Sequence, residues 1–574
     1  MSDPTPPPRS DLSVLTARSR LPAELANASG MQRLDWILGL PAPAEFVGAL
    51  APQELYYWLR DIGKDDAYAL LEYANEEQLR GLVDIDAWSR HELSIPRLLG
   101  WLDLALAIDT DVAARFVAAQ DDGLYTWLFT GDLQVLPSDT DIDAIPDELA
   151  FFTSPDGLYV VTVPREHPLE DRLPQLMKLL WSGDHERVRA IFQQAQFELH
   201  EAAGEDLERF RDARLQDLGF EPVSEALEVF STLPIRQLRT ELEAVETAPA
   251  QQDLSPLAGS GLVGDIVLRD VDPPELLRAA VQALDERDRK TFGDGFAYLV
   301  NKVFMAETGD LSRLDDLPAA ARQAAALANL GLSYLAHESD ERATIVVRQI
   351  APEMLFKTGW TLVFNVGRKA RRLAARAGQD RGYLIFGSPT DEAIAAAAQL
   401  RPQYAEVVDD PGALGAHPFT TLEELTRIEA RIDQATLVLD AFERHFGLTL
   451  TALDEAELPG IGPDARRRTR LSTLVRTALL HGLLEDEFRF TPVSRDELVA
   501  FSRAAFAGTA HTTPAFDERV QALVRATVDD SPSHEAFREL TERAVGELVE
   551  SLGPVHERDL DLRYVGDLFL VATT

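Results

Sequence analysis

The stretch with the most definite chemistry is Leu458-Pro459-Gly460-Ile461-Gly462-Pro463, followed by Arg466, Arg467, Arg468 and Arg470. The two glycines mark a tight turn, and the arginines after it supply charge of the right sign for a phosphate. A second basic cluster, Arg368, Lys369, Arg371, Arg372 and Arg376, closes a helix expected to begin near Pro352. Cations at that end complement the negative pole of the helix dipole, which is reason enough for them. An anionic ligand or an acidic patch on a partner is their other use. Gly460, Gly462, Arg466, Arg467, Arg368, Lys369 and Arg372 are therefore the candidate anion contacts.

The remaining motifs fail on context. Gly259-Ser260-Gly261-Leu262-Val263-Gly264 matches the spacing of a dinucleotide loop, but a linker precedes it and Asp265-Ile266-Val267-Leu268 after it reads as strand. The fingerprint needs the reverse order, strand before and helix after, so that amides point at the pyrophosphate. Asp139, Asp141 and Asp143 have the opening rhythm of a calcium loop. Ala144 stands where its glycine belongs and Ala150 where its bidentate glutamate belongs. No HExxH, GxSxG or GxxxxGK[ST] pattern occurs among the 11 histidines and the glycines. With 96 Asp and Glu residues, carboxylate pairs arise by chance and single out no catalytic acid or base. Neither a metal nor a cofactor is expected, and no linear catalytic motif is present.

Composition narrows the class. A chain of 574 residues exceeds one core, and 45% hydrophobic residues suffice to bury a large one. There is no cysteine, which excludes disulfides, thiolate zinc sites and a cysteine nucleophile. The net charge of −41 repels nucleic acid and anionic membranes over most of the surface. It suits either salty surroundings or a partner with basic patches. The N-terminus, rich in proline and polar residues, has no export signal, and no apolar run is long enough for a membrane span. A cytoplasmic protein is the expectation.

The elements that must position any site are mostly helical. Leu55, Tyr56, Leu59 and Ile62 share one face, with Pro52 early and Gly63 ending the helix. Ala67, Leu70, Leu71 and Ala74 mark a second helix, and Leu79, Leu82 and Val83 a third, with Asn75 and Gln78 spaced as a capping box. Pieces this short must lean on one another. Tyr56, Tyr57 and Trp58 cannot all face inward, so Tyr57 or Trp58 is the candidate partner surface. Asp156-Gly157, between Phe151-Phe152 and the apolar run Leu158–Val163, predicts a β-hairpin. Gly382–Gly387 reads as a short strand. Helices are expected over Leu422–Phe446, Leu471–Leu484, Arg495–Phe506, Phe516–Val528 and Glu535–Leu552. The fold expected is mostly α, with stacked short-helix modules, helical bundles and one or two small β-hairpin insertions. Its divisions are a tail (1–20), an N-terminal stacked-helix module (21–246) with a hairpin near 137–165, and a linker (247–264). A central helical domain (265–408) and a C-terminal helical domain (409–574) follow.

Five runs carry a family resemblance: LYYWLRDIGKDDAYALLEYANEEQLRGLVDIDAW, DARLQDLGFEPVSEALEVF, FAYLVNKVFMAE, LFKTGWTLVFNVGRKARRLA and RLSTLVRTALLHGLL. In that order they resemble a family of bacterial proteins known only as a domain of unknown function, from about Leu34 to Phe506. That resemblance implies no activity, cofactor or catalytic residue. The opening helices also resemble, in architecture, the cytoplasmic helical superhelix of bacterial magnesium channels. The glycine turn at 458–463 resembles the hairpin of helix-hairpin-helix modules, although Ala465 comes early and three successive arginines face all sides. The expectation is a helical protein that binds another protein or acts as a scaffold. The alternatives are a nucleic-acid-associated factor using residues 458–470 and an enzyme whose dispersed site has no linear signature.

Overall fold

Short helices open the chain, and each persists because its neighbours cover it. The computed structural model describes residues 29–63, 68–89, 91–131, 133–244, 272–449, 467, 469–506, 511–527, 532–555, 559–562 and 565–571. The expected tail at 1–20, the linker at 247–264 and the glycine motif within it lie outside these residues. So do Gly460, Gly462 and Arg466. The chain divides into two units, Met1–Gly359 and Trp360–Thr574. Both are predominantly helical with small antiparallel strand groups. Among the described residues no helix is long and apolar enough to cross a membrane.

The first unit begins with α1 (Gly30–Leu38), α2 (Pro43–Gly48), α3 (Pro52–Ile62), α4 (Tyr68–Tyr73) and α5 (Glu76–Asp86). Pro52 occupies the first turn of α3, and Leu55, Tyr56, Leu59 and Ile62 are all buried, as their spacing predicts. The capping box of α5 is formed: the Gln78 N–H donates to the Asn75 side chain, and the Asn75 N–H to the Gln78 side chain, both at 2.9 Å. The Gln78 amide then donates to the carbonyls of Val47 (2.6 Å) and Leu50 (2.7 Å), satisfying the open end of α2. A capping residue thus also stitches two helices together.

A two-stranded pair, β1 (Trp88–Ser89) and β2 (Glu92–Leu93), leads to α6 (Ile95–Ile108), α7 (Thr110–Ala119) and α8 (Asp122–Thr130). Next come β3 (Gln134–Pro137), β4 (Leu149–Thr153) and β5 (Tyr159–Pro164), in the order β3-β5-β4. The expected hairpin is β4–β5, with Phe152 opposite Val161 and the turn at Asp156-Gly157. The third strand, β3, escaped the sequence pattern because only four residues of it pair. Helices α9 (Leu173–Ser182), α10 (His185–Ala195), α11 (His200–Asp217), α12 (Val223–Ala226) and α13 (Ile235–Ala244) complete this part.

A bundle follows of α14 (Glu275–Gln282), α15 (Glu286–Thr308), α16 (Leu317–Ala336), α17 (Asp340–Gln349) and the start of α18 (Pro352–Arg376). The sequence of α16 is rich in alanine, and most of its residues are buried. Small side chains let neighbouring backbones close in. At the crossing of α16 and α18, a Cβ on Gly331 would stand 2.0 Å from the Leu355 carbonyl oxygen. One on Gly359 would stand 2.0 Å from that of Leu327. Only glycine fits either position.

The second unit takes the remainder of α18, then α19 (Thr390–Ala397), β6 (Gln403–Ala405), β7 (Ala416–Pro418) and α20 (Leu422–Phe446). It ends with α21 (Leu471–Glu485), α22 (Arg495–Phe506), α23 (Pro514–Arg525) and α24 (Pro532–Leu552). Helix α20 has the bounds read from sequence, with a Thr421–Glu424 capping box at its start. It packs on α24, where Phe442 meets Phe537 edge-on at 5.4 Å. Residues 409–418 lie within this unit and close the β6–β7 pair. The division between the two units falls inside α18.

Residues 382–387 form no strand. Its glycines take positive φ at both ends, and its backbone bonds go to several different partners, among them the Leu384 N–H to the Arg467 carbonyl (3.2 Å) and the Leu471 N–H to the Ile385 carbonyl (2.7 Å). The Gly331→Ala chain is expected to lose roughly 1–3 kcal/mol or more of stability through overpacking. Urea unfolding of the two chains side by side measures it.

Candidate functional site

Helix α11 is the element on which chemistry-bearing side chains are best organised. Its inward residues recur every four positions: Ala203, Leu207, Arg211 and Leu215. An arginine therefore stands in an apolar stripe. Its guanidinium lies over the Trp88 ring at 4.8 Å, and its Nε donates to the Asp84 carbonyl at 2.9 Å. Arg214 forks the Asp84 carboxylate, with Nε to Oδ2 at 2.7 Å and Nη2 to Oδ1 at 2.9 Å, and pairs with Asp121 through Nη1. Arg80 also reaches Asp121, at 3.2 Å. Burial pushes the Asp84 carboxyl up, against the pull of Arg214 and Arg211. The bidentate geometry offsets much of that desolvation.

Two residues on, α5 buries a second aspartate. The Tyr56 hydroxyl of α3 donates to Asp86 Oδ1, and Trp101 Nε1 of α6 donates to Oδ2 at 2.8 Å. Positions i and i+2 point to opposite sides of a helix. Asp84 thus holds α11 while Asp86 holds α3 and α6. Burial, with the Asp86 carboxylate beside it, holds the Tyr56 hydroxyl firmly protonated.

With one face of α11 latched, the adjoining face carries charged side chains, of which Asp212 pairs with Arg211 at 3.3 Å. Glu205, Glu208, Arg209, Asp212 and Gln216 fall three or four residues apart along it, and with Pro222 they line an open hollow of about 470 Å³. Three carboxylates face one guanidinium there. Arg209 shares its charge with Asp206 at 2.9 Å, and Glu208 contacts the His91 ring. Burial pushes the Asp212 carboxyl up; Arg211 lowers it and Glu208 raises it further. Arg209 also lies over Phe210, 5.2 Å from the ring centre, and Phe210 is exposed. Just before the helix, Phe197 and Leu199 are 88% and 75% exposed. The lining is predominantly anionic. It holds no activated nucleophile.

Another charged cluster is closed by its own partners. Lys302 sits between Glu221 (3.3 Å) and Glu353 (3.2 Å), Lys357 pairs with Glu353 at 2.7 Å, and the Tyr298 hydroxyl donates to Glu221. Burial works against the Glu353 carboxylate, yet Lys357 and Lys302 hold it below the usual range. Two cations meet two carboxylates, which leaves nothing over for a ligand.

Among the described residues, those singled out by sequence have separate surroundings. Trp58 is 4% exposed and belongs to the core, which corrects its choice as a partner surface: it continues the inward face of α3 set by Leu55, Leu59 and Ile62. Tyr57 is half-buried. Lys369 pairs with Glu429 (2.6 Å) and Asp433 (3.4 Å), and Arg376 with Asp440 (2.7 Å) and Glu443 (2.9 Å), so these two cations tie α18 to α20. Arg371 donates to the Gln399 carbonyl at 3.0 Å, while Arg368 and Arg372 are exposed. Arg467 accepts from Leu384 through its carbonyl, and its side chain runs over Gly382. The acidic stripe of α11 went unread because carboxylates are so common in this chain. Its spacing of three and four was the available signal.

Asp391, at the start of α19, accepts from the N–H groups of Gly387 (2.7 Å) and Phe386 (3.1 Å) and from Gln379 (3.1 Å). Burial nonetheless pushes its carboxyl up to about 6.

A family model described as "Family of unknown function (DUF6178)" matches residues 10–571. No curated protein matches this chain, and no solved structure does.

Breaking the latch has a measurable cost. Arg214→Ala is expected to lose about 3–5 kcal/mol, because it leaves the buried Asp84 carboxylate without its forked partner, and Asp84→Ala less, since Arg214 keeps Asp121. The double variant should lose less than their sum in chemical unfolding. For Asp391 the folded carboxyl keeps its proton to higher pH than the unfolded one. Its contribution is therefore whole below about pH 4 and is lost as pH rises through about 6, a change of about 3 kcal/mol. The stability of the native chain relative to Asp391→Asn, followed by urea unfolding between pH 4 and 7, should fall across that window.

Proposed function

The chain belongs to this family of unknown function, and we propose that it is a helical docking protein whose α11 face receives a basic segment of another protein. The observation that supports this reading is the hollow along Glu205, Glu208, Asp212 and Gln216, where carboxylates outnumber cations beside an exposed Phe210. A lysine or arginine entering it gains charge-assisted hydrogen bonds, while an apolar neighbour covers Phe210. The net charge of −41 extends the same attraction over distance and speeds encounter with a basic partner. Nothing on this face favours nucleic acid, whose phosphates the carboxylates repel.

A photoreactive phenylalanine analogue at position 210, in the full chain expressed in its native host, tests the proposal. One discrete crosslinked protein is expected. Glu208→Lys with Asp212→Lys should lower its yield by about tenfold or more, and added salt should lower it as well. No crosslink, or one unaffected by the charge reversal, contradicts the reading.

A further inference from the structure

In the second unit His481, Glu485 and Glu497 bring a ring nitrogen and two carboxylate oxygens within 4.8 Å of one another. His481 and Glu485 stand one helical turn apart on α21, so both project from one face, and Glu497 comes from the first turn of α22. The connection between the helices is drawn in tightly. A Cβ on Gly482 would meet the Phe488 ring at 2.5 Å, so only glycine lets that ring close over α21. The histidine carries the independent signal. It is 1% exposed; its Nε2 lies 3.0 Å from the Thr491 carbonyl oxygen, while its Nδ1 is buried with no hydrogen-bond partner. Nε2 is engaged by Thr491, through its carbonyl oxygen and its hydroxyl at 3.3 Å, which leaves Nδ1 as the ring nitrogen without a hydrogen-bond partner. Metal-binding imidazoles are oriented in just this manner.

We propose that His481 Nδ1, Glu485 and Glu497 bind one divalent transition-metal ion of the zinc or manganese class. One imidazole nitrogen with two carboxylates suits such an ion better than magnesium or calcium, which take oxygen alone. Three protein ligands leave coordination positions for water or a further ligand. Oε2 of Glu497 accepts from the Ser494 N–H (2.8 Å) and hydroxyl (2.6 Å), which steadies that carboxylate and leaves its other oxygen to bind. Arg489 pairs with Glu485 and is the cation that the metal displaces. Sequence reading missed the group because its one-turn His–Glu spacing continues to a ligand in another helix.

Equilibrium dialysis of the chelator-stripped full chain against zinc chloride, in excess magnesium, tests the site. One zinc ion per chain is expected to survive the magnesium. His481→Gln should weaken binding by about a hundredfold or more. Glu485 lies at the surface, so Glu485→Gln leaves folding intact and should weaken binding by at least about tenfold. Arg489→Ala removes the competing cation and should tighten it. Absence of magnesium-resistant zinc, or equal binding by the native chain and Glu485→Gln, overturns the proposal.

Discussion

The first unit depends on two carboxylates buried in one short helix. Asp84 and Asp86 project to opposite sides of α5, and each takes its partners from helices distant in sequence. Asp84 draws in Arg214 and Arg211 from α11; Asp86 takes the hydroxyl of Tyr56 and the indole N–H of Trp101. Apolar contact alone would let short helices slide along one another, since burial carries no direction. A forked guanidinium–carboxylate pair permits one register. The three-turn helices can therefore afford to be unstable individually.

The same pairs account for the character of the surface. Because Arg211 and Arg214 turn inward, α11 leaves Arg209 and several carboxylates to the outside. In the second unit the opposite arrangement holds: Lys369 and Arg376 of α18 face the carboxylates of α20, and the ion pairs there form a seam between helices. Where cation and carboxylate are matched, the structure closes on itself. On α11 the carboxylates Glu205, Glu208 and Asp212 outnumber Arg209 along the hollow, which is the ground of the proposed docking face.

Much of the helical fold was legible in the sequence, since period, caps and turns agreed. The Asn75–Gln78 box, the Asp156-Gly157 hairpin and the full span of α20 follow from local rules. What local rules could not show is which polar side chains go inside. Arg211 occupies a position that its helix phase marks as core, and only the tertiary partners Trp88 and Asp84 explain it. The segment 382–387 has a strand's composition but lacks a continuous partner strand, so its backbone bonds are divided among turns, Arg467, Leu471 and the Asp391 side chain. Trp58 went inward because the apolar face of α3 is wider than two aromatics, which left Tyr57 at its edge. The His481 group was hidden for a related reason, as its third ligand arrives from the next helix.

Hydrogen exchange by amide position, in the native chain and in Asp84→Asn, bears most directly on α5 as the anchor of the first unit. The account predicts that protection is lost along α11 while α15 and α16 keep theirs. Unchanged protection in α11 would show that apolar contact suffices to hold it, and would contradict the account.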